Sequence, residues 1–270
     1  MYVIYNIVPH KFSIVFAIAF PATFLNILAG QNGFISAFLL GLGLLLLESN
    51  PYLAGLIMSF LIYKPHLGFL LVIALIAGRK WKTLISASLI TSILVICTIF
   101  LFGLESWQAF YETLKIFKQF GEAGNLQWHI MPTIFPAARL LGLNVIMSYS
   151  IQVVVSIVAI IAVIWMWSRT KGPLAYVALI CGIFLVTHYP MHYDLVIFGL
   201  AIAWYANDGI KRGWLKGELP FLLYAWSIPG IYILALVIPC LTYIQVLPLT
   251  ITTFLFLTLR RQAVFLKYDK

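Results

Sequence analysis

Residues 53–77 read LAGLIMSFLIYKPHLGFLLVIALIA, an apolar run interrupted only at Lys64-Pro65-His66. As a single helix it would carry an ammonium near the middle of a bilayer, at a cost of about 2.5–3.5 kcal/mol on insertion scales. As two half-length helices meeting at Lys64 it avoids that cost, and Pro65 disfavours helix through the junction in any case. The stretch therefore predicts a hairpin, 53–63 and 67–77, with Lys64 at the turn. Short apolar helices persist at membrane depth only where protein or a water-filled cavity covers their ends, because lipid cannot satisfy free backbone groups. The run points to a polytopic helical protein with a cavity.

The rest of the chain has the same character. Of 270 residues, 63% are apolar and 9% charged, against about 45–50% and about 25% in soluble domains, and mean hydropathy is +1.03. This excludes soluble enzyme folds, disordered tails and cysteine-rich modules. A span needs about 20 apolar residues. Segments 12–29, 83–103, 145–167, 220–238 and 240–259 reach that length, whereas 34–47, 53–63, 67–77, 174–187 and 195–206 are shorter. The expected fold is all-α, one transmembrane domain over 1–270 with about ten apolar segments.

Seventeen Lys and Arg against eight Asp and Glu give +9. Arg79, Lys80, Lys82; Arg169, Lys171; Lys211, Arg212, Lys216; and Arg260, Arg261, Lys267, Lys270 fall on one side if the segments alternate, and the hairpin adds Lys11. The positive-inside rule makes that side, and both termini, cytoplasmic. No aromatic-interleaved basic groove accompanies these clusters, so nucleic acid is not an expected partner. Four polar segments then share the outer face: Gly30-Gln31-Asn32-Gly33, Lys64-Pro65-His66, residues 104–144 and residues 188–194. Within the extracytoplasmic loop 104–144, Phe110, Leu114, Phe117 and Phe120 recur at helical spacing and predict an amphipathic helix on the outer surface over 107–120.

Lys64 at a turn between helices reads either as a lysine snorkelling to headgroups or as an anion site beside free N–H groups. His188-Tyr189-Pro190-Met191-His192-Tyr193-Asp194 is dense in polar side chains for this setting. An aromatic belt with Tyr189 and Tyr193 at the headgroups, with Asp194 as the N-cap of the next helix, is one reading. Others are a cluster binding sugar hydroxyls or moving a proton, or a metal site, although Pro190 spoils the i, i+4 geometry of the two histidines. Gln31 and Asn32 between glycines fit turn chemistry. Arg139 is a cation against the charge bias, available to pair with Glu105, Glu112 or Glu122 or to hold a phosphate bidentately. Cys97, Cys181 and Cys240 lie in apolar stretches and read as packing residues.

Four places together resemble glycosyltransferase family 87, polyprenyl-phosphate-sugar-dependent enzymes with the C-type multispan fold. They are Leu28-Ala29-Gly30-Gln31-Asn32-Gly33-Phe34; Ala54-Gly55 followed by Tyr63-Lys64-Pro65-His66-Leu67-Gly68 and Ala77-Gly78-Arg79-Lys80-Trp81; Met131-Pro132-Thr133 with Arg139 and Gly142; and Tyr189 to Leu195. The chain departs from the family at His66, where Gln or Thr is usual. It also lacks the earlier helix and acidic outer loop that carry the expected general base, so the resemblance implies an N-terminally truncated member.

The resemblance implies a hexosyltransferase that moves a sugar, mannose being the expected one, from a polyprenyl-phosphate donor to a lipid or glycan acceptor outside a bacterial inner membrane. Membrane lipids are the surrounding partners; no cofactor and no metal is needed. His188, His192 and Asp194 become candidate catalytic residues, and Gln31, Asn32, Lys64, His66, Arg139 and Tyr193 candidate substrate-binding residues. A transporter or lipid flippase, which would place its site between related halves at mid-depth, and an inactive fragment of the transferase are the rival readings.

Overall fold

The computed structural model describes residues 1–125, 127–188, 190–235, 237–238, 240–241 and 245–268, and those residues contain helices and no strand. Tyr189 and Lys270, named above, lie outside them. The helices run α1 (Tyr2–Ile7), α2 (Ser13–Ala19), α3 (Pro21–Leu28), α4 (Gly33–Leu46), α5 (Pro51–Ser59), α6 (Pro65–Ala77), α7 (Trp81–Phe102), α8 (Leu104–Glu122), α9 (Ile134–Leu140), α10 (Val145–Arg169), α11 (Pro173–Val186), α12 (Val196–Arg212), α13 (Glu218–Ser227), α14 (Gly230–Leu234) and α15 (Leu247–Tyr268). Turns of 3-10 helix cover Phe60–Tyr63, Trp128–Ile130 and His192–Leu195.

Three helices are long and apolar enough to cross a membrane, Trp81–Phe102, Val145–Arg169 and Leu247–Leu266; five shorter apolar ones accompany them. The chain is a polytopic membrane protein. Local chemistry sets many boundaries. Asn50 and Asn144 accept from the amides of Leu53 (3.3 Å) and Met147 (2.9 Å), capping α5 and α10, and Pro51, Pro65 and Pro173 occupy first-turn positions where a missing N–H costs nothing.

The hairpin at Lys64 is present. A continuous helix would hold Glu48 and Lys80 about 48 Å apart at 1.5 Å per residue, yet Lys80 Nζ is 2.5 Å from Glu48 Oε1. Segment 12–29 is not one span. It breaks at Phe20, whose ψ of 123° is the extended conformation required before Pro21. Segment 220–238 likewise divides into α13 and α14 around Pro229, which has no amide to continue the ladder. Segment 240–259 contains Pro248, and the helix instead starts at Leu247, with that proline in its first turn, and runs to Tyr268. α8 contains the whole predicted 107–120 amphipathic stretch.

α11 is the core. Twelve of its residues are buried, as expected of a helix apolar all round, and it packs against α6, α10, α12 and α15. At fourteen residues it is only about 20 Å long, shorter than the ~30 Å hydrocarbon core. That shortfall leaves room at one end of the bundle for the polar turn 187–195.

Polar groups sort to the two ends. At one, Lys64, Tyr193, Thr133 and His188 come together. At the other are Glu48 with Lys80, a cavity bordered by Arg79 and Arg169, and a buried ionic network around Arg261. Arg261, fully buried, donates to Asp208 Oδ2 and Glu218 Oε2, each at 2.6 Å, and to the carbonyls of Asp208 and Gly213, tying α15 to α12 and α13.

Candidate functional site

Lys64 closes the 3-10 turn that ends the first arm of the hairpin, and its extended backbone (φ −128°, ψ 73°) turns the chain into α6. Its Nζ lies 2.5 Å from Asp194 Oδ1, and the two side chains are 12% and 3% exposed. Asp194 Oδ2 accepts the Met191 amide at 3.1 Å, so both carboxylate oxygens are engaged. Asp194 therefore does not cap α12 from its N-cap position; it closes the 3-10 turn ahead of that helix, with Met191 as the N-cap. Each side chain is the other's direct partner at a place where a carboxylate or an ammonium left alone would face a large desolvation penalty.

Three further segments wall the pair. Lys64 Nζ sits 5.2 Å from the centre of the Tyr193 ring. The Asn32-Gly33 turn packs on the same residue: a Cβ at Gly33 would lie 2.7 Å from the Tyr193 carbonyl oxygen and 2.5 Å from Asn26 Oδ1. Tyr63 and Ser36 share a hydrogen bond of 2.6 Å, fixing the hairpin turn to the start of α4. His66 lies within electrostatic range of Lys64, Asp194 and His188. Among the described residues, Asn32 Oδ1, His66 Nε2 and His192 Nδ1 are buried polar atoms without a hydrogen-bond partner. Such atoms are uncommon in folded proteins.

The histidines have different surroundings. His188 packs beside the stacked Phe135 and Tyr149 rings, 6.0 and 5.9 Å from their centres, and its carbonyl accepts from Thr133 Oγ1 at 3.3 Å. Burial, reinforced by the charge of Lys118, pushes its imidazole down to about 4, so it is neutral at physiological pH. It borders a cavity of about 10 Å³, room for about one water. His192 lies against Tyr193 and Tyr232, each at 5.7 Å; burial lowers its pKa too, opposed by its hydrogen bond to the Ile130 backbone and by Asp194.

Gln31 is exposed in the turn before α4. Arg139 is paired with none of Glu105, Glu112 and Glu122. It stacks on Trp128 (4.7 Å) and donates to the Leu143 carbonyl at 2.7 Å, while Glu112 pairs with Lys115 and Glu122 with Lys118. The sequence reading missed Asn26, 1% exposed, whose Oδ1 accepts the Gly33 amide at 2.9 Å. It also missed Gln152, which bridges the Phe135 amide and the Leu185 carbonyl and so sets α9 against the end of α11. Both are amides in otherwise apolar helices, and that pattern was the available signal.

The family model of glycosyltransferase family 87 matches residues 4–190, well over half of the chain. The chain belongs to that family. It is accordingly a membrane glycosyltransferase, and the matched region contains Gln31, Asn32, Lys64, His66, Arg139 and His188, while Tyr193 and Asp194 lie just beyond it. No curated protein and no solved structure matches the chain.

Proposed function

We propose that this family 87 glycosyltransferase is a hexosyltransferase that moves mannose from a polyprenyl-phosphate donor to a hydroxyl of a lipid or glycan acceptor. The reaction takes place at the Lys64 end of the bundle, the outer face of a bacterial inner membrane, with the basic end and both termini in the cytoplasm. The observation that carries this reading is the buried Lys64–Asp194 pair beside unpartnered Asn32 Oδ1 and His66 Nε2.

In this scheme the donor phosphate competes with Asp194 for the Lys64 ammonium. The freed carboxylate accepts the acceptor's hydroxyl proton. The bond between the anomeric carbon and the phosphate oxygen breaks as the bond to the acceptor oxygen forms, and the negative charge on the departing lipid phosphate is met by Lys64. Asn32 and His66 hydrogen-bond sugar hydroxyls, Tyr193 and Gln31 border the sugar, and Arg139 lies further out along the lipid. His188, neutral, and His192 serve as hydrogen-bonding groups.

Radiolabelled polyprenyl-phosphate mannose supplied to membranes containing the wild type, Lys64→Ala or Asp194→Asn tests the scheme. Transfer should fall about 10²–10³-fold in each variant, the size expected when a group stabilising transition-state charge is lost. Transfer at the wild-type rate in Lys64→Ala removes Lys64 from the chemistry, and uptake of label without transfer would make the protein a transporter.

A further inference from the structure

A second polar feature lies at the opposite end of the bundle from Lys64 and takes no part in the scheme above. Between the α6–α7 and α10–α11 connections is a cavity of about 580 Å³, within the range of small-molecule sites. Arg79, Lys80, Arg169 and Lys171 border it, with Glu48 the only carboxylate on its wall among the described residues. Glu48 pairs with Lys80, and among the described residues Arg79, Arg169 and Lys171 have no carboxylate partner. A positive-inside loop needs cations but not a concave arrangement of them.

Two further observations bear on the same place. Arg79 has φ +53°, the one non-glycine residue with positive φ among those described. The amides of Arg79 and Lys80 bond back to the carbonyls of Ile76 (3.0 Å) and Leu75 (2.8 Å), a Schellman ending whose left-handed position glycine normally fills. Glycine stands one residue earlier, at Gly78, where a Cβ would lie 2.9 Å from the Trp167 ring. Arginine is thus held at a backbone cost, and strain of this kind collects at ligand clamps. Next, α7 and α11 both begin at the cavity, with N-caps Lys80 and Gly172 that make no side-chain cap bond, so the positive ends of two helix dipoles meet there.

We propose that this cavity is a binding site for a phosphate-bearing anion. Guanidinium forks offer paired donors to phosphate oxygens, and the N-terminus of α7 adds backbone amides. The phosphate belongs either to an anionic lipid headgroup or to a free phosphate, and the two arms of the test distinguish them.

Purified protein in phosphatidylcholine nanodiscs is examined with phosphatidic acid doped into the bilayer, scored by lipid retained in native mass spectrometry, and separately with inorganic phosphate titrated calorimetrically into undoped discs. Retention of phosphatidic acid identifies the lipid source, and saturable binding of inorganic phosphate identifies the free anion. In either arm Arg79→Gly and Arg169→Gln/Lys171→Gln should weaken binding at least about tenfold, the scale of a lost charge-assisted hydrogen bond, and Glu48→Gln should strengthen it. Arg79→Gly relieves the left-handed backbone, so its thermal midpoint should be unchanged or higher, which separates lost binding from lost folding. Binding of neither probe, or binding equal in the wild type and both variants, overturns the proposal.

Discussion

Lys64 and Asp194, 130 positions apart in sequence, form one buried unit, and removing either leaves the other's charge stranded. Lys64→Ala should cost about 3–5 kcal/mol of stability, measured as a lowered thermal midpoint in nanodiscs. Lys64→Ala/Asp194→Ala should recover part of that loss; strict additivity of the two single substitutions would show that the groups do not interact. His188 makes a prediction about pH. Its pKa falls from an ordinary 6.5 to about 4 on folding, so between those values the unfolded chain binds more protons than the folded one. Stability should be complete above about pH 6.5, decline as pH drops and level off near 4. In His188→Phe that part of the slope should vanish from the melting curves. Lys64 was legible in the sequence as a charge that a spanning helix could not hold. Its partner was not: Asp194 read as a helix cap or as one of a cluster with His188 and His192, because nothing in a linear pattern says which distant turn a carboxylate will face.

The helices explain both the successes and the misses. Apolar windows located α7 and α10 to within two residues at each end, because nothing interrupts them. They failed at segments 12–29, 220–238 and 240–259, where Pro21, Pro229 and Pro248 decide the boundaries and a window of average hydropathy does not register a missing amide. Two predictions concern how elements are joined. The start of α4 touches the Tyr193 backbone only because Gly33 has no side chain. Gly33→Ala should push the Asn32 turn off the site by about an ångström and lower sugar transfer about 100-fold while the protein still folds; transfer at the wild-type rate would mean that the turn does not border the substrate. α15 is anchored through Arg261, whose guanidinium makes four bonds to α12, α13 and the connection between them. Arg261→Ala should destabilise the protein by about 3–5 kcal/mol or more, with Asp208 and Glu218 left buried. Arg261→Lys should not restore it, since a point charge cannot reproduce the planar fork; thermal unfolding in detergent decides both.

The molecule as a whole is a bundle with chemically distinct ends. Counting Lys and Arg along the chain was enough to foresee that the basic clusters share an end, as Arg79, Arg169, Arg212 and Arg261 do. The same count hid that Glu48, Asp208 and Glu218 lie among them as partners, because a topology rule assigns weight to cations and little to carboxylates. The account stands on the Lys64 end facing outward and receiving the lipid-linked donor. The most direct measurement uses Gln31→Cys and Lys171→Cys, each in a chain whose Cys97, Cys181 and Cys240 are replaced by alanine, treated in intact cells with a membrane-impermeant maleimide. The prediction is that Gln31→Cys reacts from outside and is slowed by polyprenyl-phosphate mannose, while Lys171→Cys reacts only after permeabilisation; labelling of Gln31→Cys only in permeabilised cells would contradict it.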